Sequence, residues 1–231
     1  MRGVFSVLMP SIFRRDTQLL SHNIFDQGQI NIELSNVGYG FKCNRNHIEA
    51  NCFQGAATAI NFETVGGISD KDATNYIEGN LISSDLPGGG SGYSSYGIKA
   101  AMDSLVIRNN VFWNNDEAIR MMRVCHLYVE HNTFFGNVLT LTNLQASGSA
   151  VFVGNTISEA YKRIANYPSG KSRMNGNNFT HFNRNVSLFA NISTETVDMR
   201  GNYWDGASEA EIDVAIIDGH DSPSLGEIVI D

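Results

Sequence analysis

The chain has 231 residues, 42% of them hydrophobic, which is enough for one substantial core and excludes a disordered polymer. Against 16 Lys and Arg stand 24 Asp and Glu, a formal net charge of −8 that opposes nonspecific attraction to nucleic acid or an anionic membrane surface. Three cysteines, Cys43, Cys52 and Cys125, without a CxxC pair, provide neither a disulfide framework nor a zinc site, so free thiols are expected.

The opening stretch MRGVFSVLMPSIFRRD sets an arginine before a short apolar run, as secretory signals do. Pro10 and Phe13 stand where a small-residue cleavage site belongs, and no run approaches the roughly 20 apolar residues of a spanning helix. Residues 1–18 are therefore read as a partial coil at the N-terminal end, and no membrane span is expected.

From residue 19 onward the chain repeats. Eight asparagines, Asn23, Asn51, Asn80, Asn110, Asn132, Asn155, Asn177 and Asn202, follow at spacings of 28, 29, 30, 22, 23, 22 and 25 residues. Three positions before each lies an apolar residue: Leu20, Ile48, Ile77, Ile107, Val129, Phe152, Met174 and Met199. Two positions after each lies another: Phe25, Phe53, Ile82, Phe112, Phe134, Ile157, Phe179 and Trp204. A third column follows nine residues after the asparagine at Ile32, Ile60, Ile119, Leu141, Ile164 and Val186, and is displaced to Ile98 in the third coil by the insertion SSDLPGGGSGYSSY.

Self-similarity at this period decides architecture before any local feature does. If each repeat is one turn of a coil, successive strands stack in parallel about 4.8 Å apart and inward residues stand above their counterparts. The asparagine is expected to take the left-handed conformation at a sharp corner and to pass amide hydrogen bonds from coil to coil. Leucine-rich repeats also place Asn periodically, but their closely spaced leucines are absent here. Residues 19–206 thus read as a solenoid of parallel β-coils, about eight in all.

Residues 207–231 read as a cap. Ser208 and Glu211 make an S-x-x-E capping box, Ala210, Val214 and Ile217 are expected on the buried helical face, Gly219 is expected to stop the helix, and LGEIVID to add a last extended edge. DGHD, at Asp218 to Asp221, reads as a turn. The N-terminal end has no such helix, so it is covered either by a preceding segment of a longer protein or by a second copy in a homo-oligomer. The whole of 1–231 is taken as one β-helix domain.

These repeats resemble the right-handed parallel β-helix proteins of the pectin-lyase-like superfamily, over about Leu19 to Trp204. The resemblance implies a groove along the strand carrying Ile60, Ile98 and Ile119, a polysaccharide or oligosaccharide as partner, and an often extracellular setting. The Asp clusters and Gly-His-Gly of polygalacturonases and the Asp cluster and Arg-x-Pro of pectate lyases are absent, so neither activity is carried over, and the sequence assigns no compartment.

On the implied groove strand, alternation turns outward the column Glu33, Asn61, Lys99, Arg120 and Thr142, with Glu63 two residues further along. Lys99 and Arg120 repel unless an anion or carboxylate lies between them. That pair is the candidate for uronate binding or proton abstraction; Glu33, Asn61 and Glu63 are candidate substrate contacts, with Glu33 and Glu63 also able to hold Ca²⁺, the one cofactor considered. Tyr93 and Tyr96 in the glycine-rich insertion are candidates to stack on sugar rings. The extra residues of the longer coils, in SNVGYGFKCNRN, ETVGGISDKDATN and SSDLPGGGSGYSSY, are expected to wall this groove.

A second outward column, Glu49, Glu78, Arg108 and Glu130, with His47, Tyr76 and Tyr128 upstream, would set two carboxylates near the roughly 5 Å separation of a retaining glycosidase. The readings are thus a protein that binds or acts on an anionic polysaccharide, as a lyase or glycoside hydrolase if catalytic, or a noncatalytic structural or surface-interaction module, including a truncated or mobile-element product. Fold does not decide between them.

Overall fold

A computed structural model describes residues 19–37, 46–65, 74–84, 95–142, 149–160, 164–167 and 172–231. The expectations for residues 1–18, for the N-terminal end as an oligomer contact, for Tyr93 and for the tips of the three insertions lie outside the described residues.

The described chain is a right-handed parallel β-helix. Every strand pair is parallel; 17 strands join in one winding sheet, and a 3-stranded sheet of Ala165–Tyr167, Phe189–Asn191 and Ile216–Ile217 continues one face toward the C-terminus. Each coil presents three faces. The first face precedes the asparagine and stacks Leu20, Ile48, Ile77, Ile107, Val129, Phe152 and Met174 in register. The second follows it and stacks Phe25, Phe53, Ile82, Phe112, Phe134, Ile157 and Phe179. The third stacks Ile32, Ile60, Ile98, Ile119 and Leu141, and Leu141 continues by backbone hydrogen bond to Ile164. Beyond Ile164 the register passes to Leu188 rather than to the expected Val186, because the Ile164 amide bonds the Leu188 carbonyl and Leu188 is buried where Val186 is only partly so.

Identical residue types at one level of successive coils give the core its packing. Phe25 stacks on Phe53 with ring centroids 4.9 Å apart, and Phe112 on Phe134 at 4.8 Å, nearly coplanar in both cases. That spacing is the strand repeat itself, so the rings add offset stacking to burial. Removing one ring, as in Phe134→Ala, leaves a cavity that neighbouring coils are too rigid to fill, a loss of about 3–5 kcal/mol.

The asparagines form a ladder. The backbone N–H and side-chain Nδ2 of Asn110 both donate to Asn132 Oδ1, at 2.9 and 3.0 Å, and the pattern repeats from Asn23 to Asn202. From Asn51 onward each Nδ2 also reaches back to the carbonyl of the apolar residue three positions before the previous asparagine, as Asn132 does to Ile107 and Asn155 to Val129. Asn51, Asn80, Asn110, Asn132, Asn155 and Asn177 are buried, and such complete pairing is what makes their burial tolerable.

The corner itself is made differently from expectation. The left-handed residue is the one before each asparagine: His22, Ala50, Gly79, Asn109, His131, Gly154, Gly176 and Gly201 all have φ between 52° and 71°. This geometry points the next amide and side chain along the helix axis, where the asparagine bridges to the following coil. A shorter second ladder, Asn115 to Asn137, turns the second face into the third in the tighter coils, with Asn114 and Gly136 left-handed before it.

The C-terminal cap follows its capping box: Ser208 caps the helix Glu209–Ala215, receives the Glu211 amide, and is bonded in return by the Glu211 carboxylate. Its buried side differs from expectation. Ala210 and Val214 are exposed, whereas Ala215 and Ile216 are buried and Ile212 packs on the core. The helix ends at Ala215, not at Gly219, because Ile216 is pulled into the third face as a strand beside Phe189. Asp218 then closes the DGHD turn, accepting from the His220 and Ile228 amides, and Ile228–Val229 forms the final edge on Val197–Asp198.

Candidate functional site

The third face gathers the groove residues named from the sequence. Glu33, Asn61, Lys99, Arg120 and Thr142 stand opposite one another on consecutive coils. Tyr96 pairs with Glu117, three residues before Lys99 and Arg120 respectively. The start of this level is pinned by a reciprocal clamp, in which Asp116 Oδ2 accepts from the Ser95 amide at 2.9 Å and Ser95 Oγ accepts from the Asp116 amide at 3.0 Å. Gly97, two residues after Ser95, allows a close approach of the coils; a Cβ there would meet the Ala118 carbonyl oxygen at 2.5 Å and Phe112 at 3.1 Å.

Above this floor the Arg120 guanidinium lies over the Tyr96 ring, 5.1 Å from its centroid, and Nη1 donates to the Tyr96 hydroxyl at 2.6 Å and to Glu117 Oε1 at 3.4 Å. One coil's cation is thereby fixed by the previous coil's phenol, through both a hydrogen bond and the electron-rich ring face. Lys99 stands in register beside Arg120, so two positive side chains occupy neighbouring levels about 4.8 Å apart. An anion between them lowers that repulsion.

The remaining groove residues divide. Asn61 is not solvent-facing: it is 4% exposed, and its Oδ1 has no hydrogen-bond partner among the described residues. The Glu33 and Glu63 backbones pair with Asn61 and Ala101, but their side chains, like that of Thr142 and the whole of Tyr93, lie outside the described residues, and with them the Ca²⁺ expectation.

On the first face, Glu49, Glu78, Arg108 and Glu130 form the expected column. His47 Nε2 sits between the two carboxylates, 3.5 Å from Glu49 and 3.4 Å from Glu78. Arg108 Nη2 donates to Glu78 at 2.9 Å while its guanidinium lies over Tyr76. The Arg108 hydrogen bond holds the Glu78 carboxyl below its ordinary value. A glycosidase acid needs the opposite shift, so Glu78 is not poised as the acid of such a pair; it is held in a charge network with Arg108 and His47.

The NosD family model, described as periplasmic copper-binding protein, matches residues 32–215. The chain belongs to the NosD family. No curated protein and no solved structure matches it significantly. The matched stretch of this NosD-family chain runs from the Ile32 level to the end of the capping helix, so it includes both polar columns.

Sequence reasoning passed over Glu117 and the contact between Tyr96 and Arg120. Their signal was present as the parallel phrases Tyr96-Gly-Ile-Lys99 and Glu117-Ala-Ile-Arg120, which put an aromatic and an acid at the same level of adjacent coils. Counting only the column after the isoleucine hid it.

Proposed function

We propose that this NosD-family β-helix binds an anionic glycan on its third face, with the Lys99 and Arg120 pair taking the carboxylate. The supporting observation is the Arg120 guanidinium held on Tyr96 and Glu117 with Lys99 in register beside it. A guanidinium already donating to a phenol and a carboxylate suits charge recognition better than proton abstraction, so the reading is binding, and the residues named for catalysis become substrate contacts. Uronate as the anion rests on the resemblance to the pectin-lyase-like superfamily, which we keep as part of the proposal. The family description names the periplasm, and we extend that setting to this chain.

The family description also names copper. Among the described residues no group of three or more His, Cys, Asp or Glu side chains is arranged to hold a metal ion. Where His47 lies between Glu49 and Glu78, Arg108 Nη2 already donates to Glu78 at 2.9 Å and sets a positive charge beside that carboxylate. These residues do not fit a copper centre, and the proposed function uses none.

Calorimetric titration with oligogalacturonate and with a neutral oligosaccharide of the same length tests the reading. Preferential heat and saturation with the acidic sugar are expected; equal binding of both, or none, would remove it.

A further inference from the structure

The second face carries a feature that the charged columns do not share. Between Leu81 and Thr180 its strands are three residues long with the central residue buried, and of the flanking residues all but the buried Ser83 are exposed or partly exposed. From Cys52 through Thr180 those flanking positions hold no charged residue, whereas the first face carries Glu49, Glu78, Arg108 and Glu130 in one column. Within this uncharged stretch Leu81 stands in register with Val111, and Trp113 with Phe135. Trp113 is 47% exposed and Phe135 40%, while Leu81 and Val111 are also exposed. Hydroxyl side chains border the rings, with Thr133 beside Val111 and Ser158 beside Phe135.

Two exposed aromatic residues whose backbones pair on adjacent coils are set one strand spacing, about 4.8 Å, apart along the axis, and their side chains together offer a platform for a flat apolar ligand face. The exposed area decides what size of ligand fits. At these exposures, with about 150–250 Å² per aromatic side chain, the two rings and two aliphatic neighbours offer on the order of 300 Å². A stable protein partner needs about 800 Å² on each side. The surface suits a small ligand and is too small to hold a second protein by itself. Absence of charge argues for a neutral ligand, and the bordering hydroxyls suit one that presents hydroxyl groups at its rim and C–H groups on its face. A pyranose ring has that construction.

We propose that Trp113 and Phe135 form a stacking site for a neutral, β-linked pyranose chain, independent of the Lys99 and Arg120 site. The test uses the full chain with cellohexaose and chitohexaose as probes. Of the two tryptophans, Trp204 packs against Phe179, Phe182 and Phe189, so emission changes on binding report chiefly on Trp113. Binding of at least one probe is expected, with a tryptophan emission change and no dependence on salt. Trp113→Ala and Phe135→Ala should each weaken it about tenfold or more, Trp113→Phe should retain most of it, and Lys99→Ala with Arg120→Ala should leave it within about twofold. Far-ultraviolet circular dichroism shows whether each variant keeps its fold, which is expected because both side chains are exposed. Failure of the native protein to bind either probe, or binding that survives both alanine substitutions, overturns the proposal. So does sedimentation showing that these substitutions abolish self-association while the sugars never bind, since the surface would then belong to a second copy.

Discussion

Asn132 donates its backbone N–H to Asn155 Oδ1 at 2.9 Å, and the residue that turns the chain into that position is His131, at φ 54°. Corner and ladder are therefore separate jobs held by neighbouring residues. Asn132→Ala removes the amide that serves Ile107, Glu130 and Asn155 and leaves buried partners unpaired. It should cost about 1–3 kcal/mol or more in denaturant unfolding. His131→Ala, which leaves the ladder's side-chain hydrogen bonds in place, should change the midpoint far less.

The two neighbours also interact across coils. A Cβ on Gly154, itself at φ 64°, would lie 2.6 Å from the His131 ring. Gly154→Ala therefore meets a left-handed backbone penalty of about 1–2 kcal/mol and a crowded ring. Adding His131→Ala should recover the ring's part and leave the backbone part, so the double variant is expected between the single variant and the native protein in thermal midpoint.

Much of this fold is legible in the sequence because inward residues must recur at one level of every coil. The columns through Ile77, Phe112 and Ile98 are in register as read. Backbone conformation was not legible: Asn tolerates positive φ, yet here Ala50 and His131 take it, since the asparagine side chain is needed for bonding along the axis. The cap's buried side was misread because helical periodicity assumes a helix longer than seven residues, and Ile216 leaves it for a strand. At the site, alternation placed Lys99 beside Arg120 but gave no hint of the contact with Tyr96 or the burial of Asn61, which depend on what lies across and above the strand.

Acid should loosen the C-terminal cap. Backbone and side-chain hydrogen bonds from Ser208, then Arg184, lower the Glu211 carboxyl to about 2 from an ordinary 4.5. A depressed folded-state value contributes stability that is fully present above pH 4.5 and is lost as pH falls through about 2. The native thermal midpoint should fall across that window, and Glu211→Gln, lower at neutral pH, should show a shallower fall.

The first-face network makes an electrostatic prediction. Arg108→Ala should raise the Glu78 carboxyl toward its ordinary range, readable by carbon-detected titration, because the Arg108 hydrogen bond is the largest cause of its depression. Both side chains are partly exposed, so the accompanying loss of stability should stay within about 1 kcal/mol. An unmoved Glu78 titration would mean that His47 and Asn109 hold the carboxylate without Arg108.

The most direct measurement of the proposed function is the affinity of an oligogalacturonate for the native chain and for the Lys99→Ala, Arg120→Ala double variant, each at low and high salt. Exposed charges are screened beyond about 8 Å at physiological ionic strength, so native affinity should fall as salt rises. The double variant should bind at least about tenfold more weakly, with little salt dependence, while keeping a cooperative unfolding transition lowered by about 1–2 kcal/mol through loss of the Arg120 contacts to Tyr96 and Glu117. Native-like, salt-sensitive binding by the double variant would place the anion site elsewhere and contradict the account.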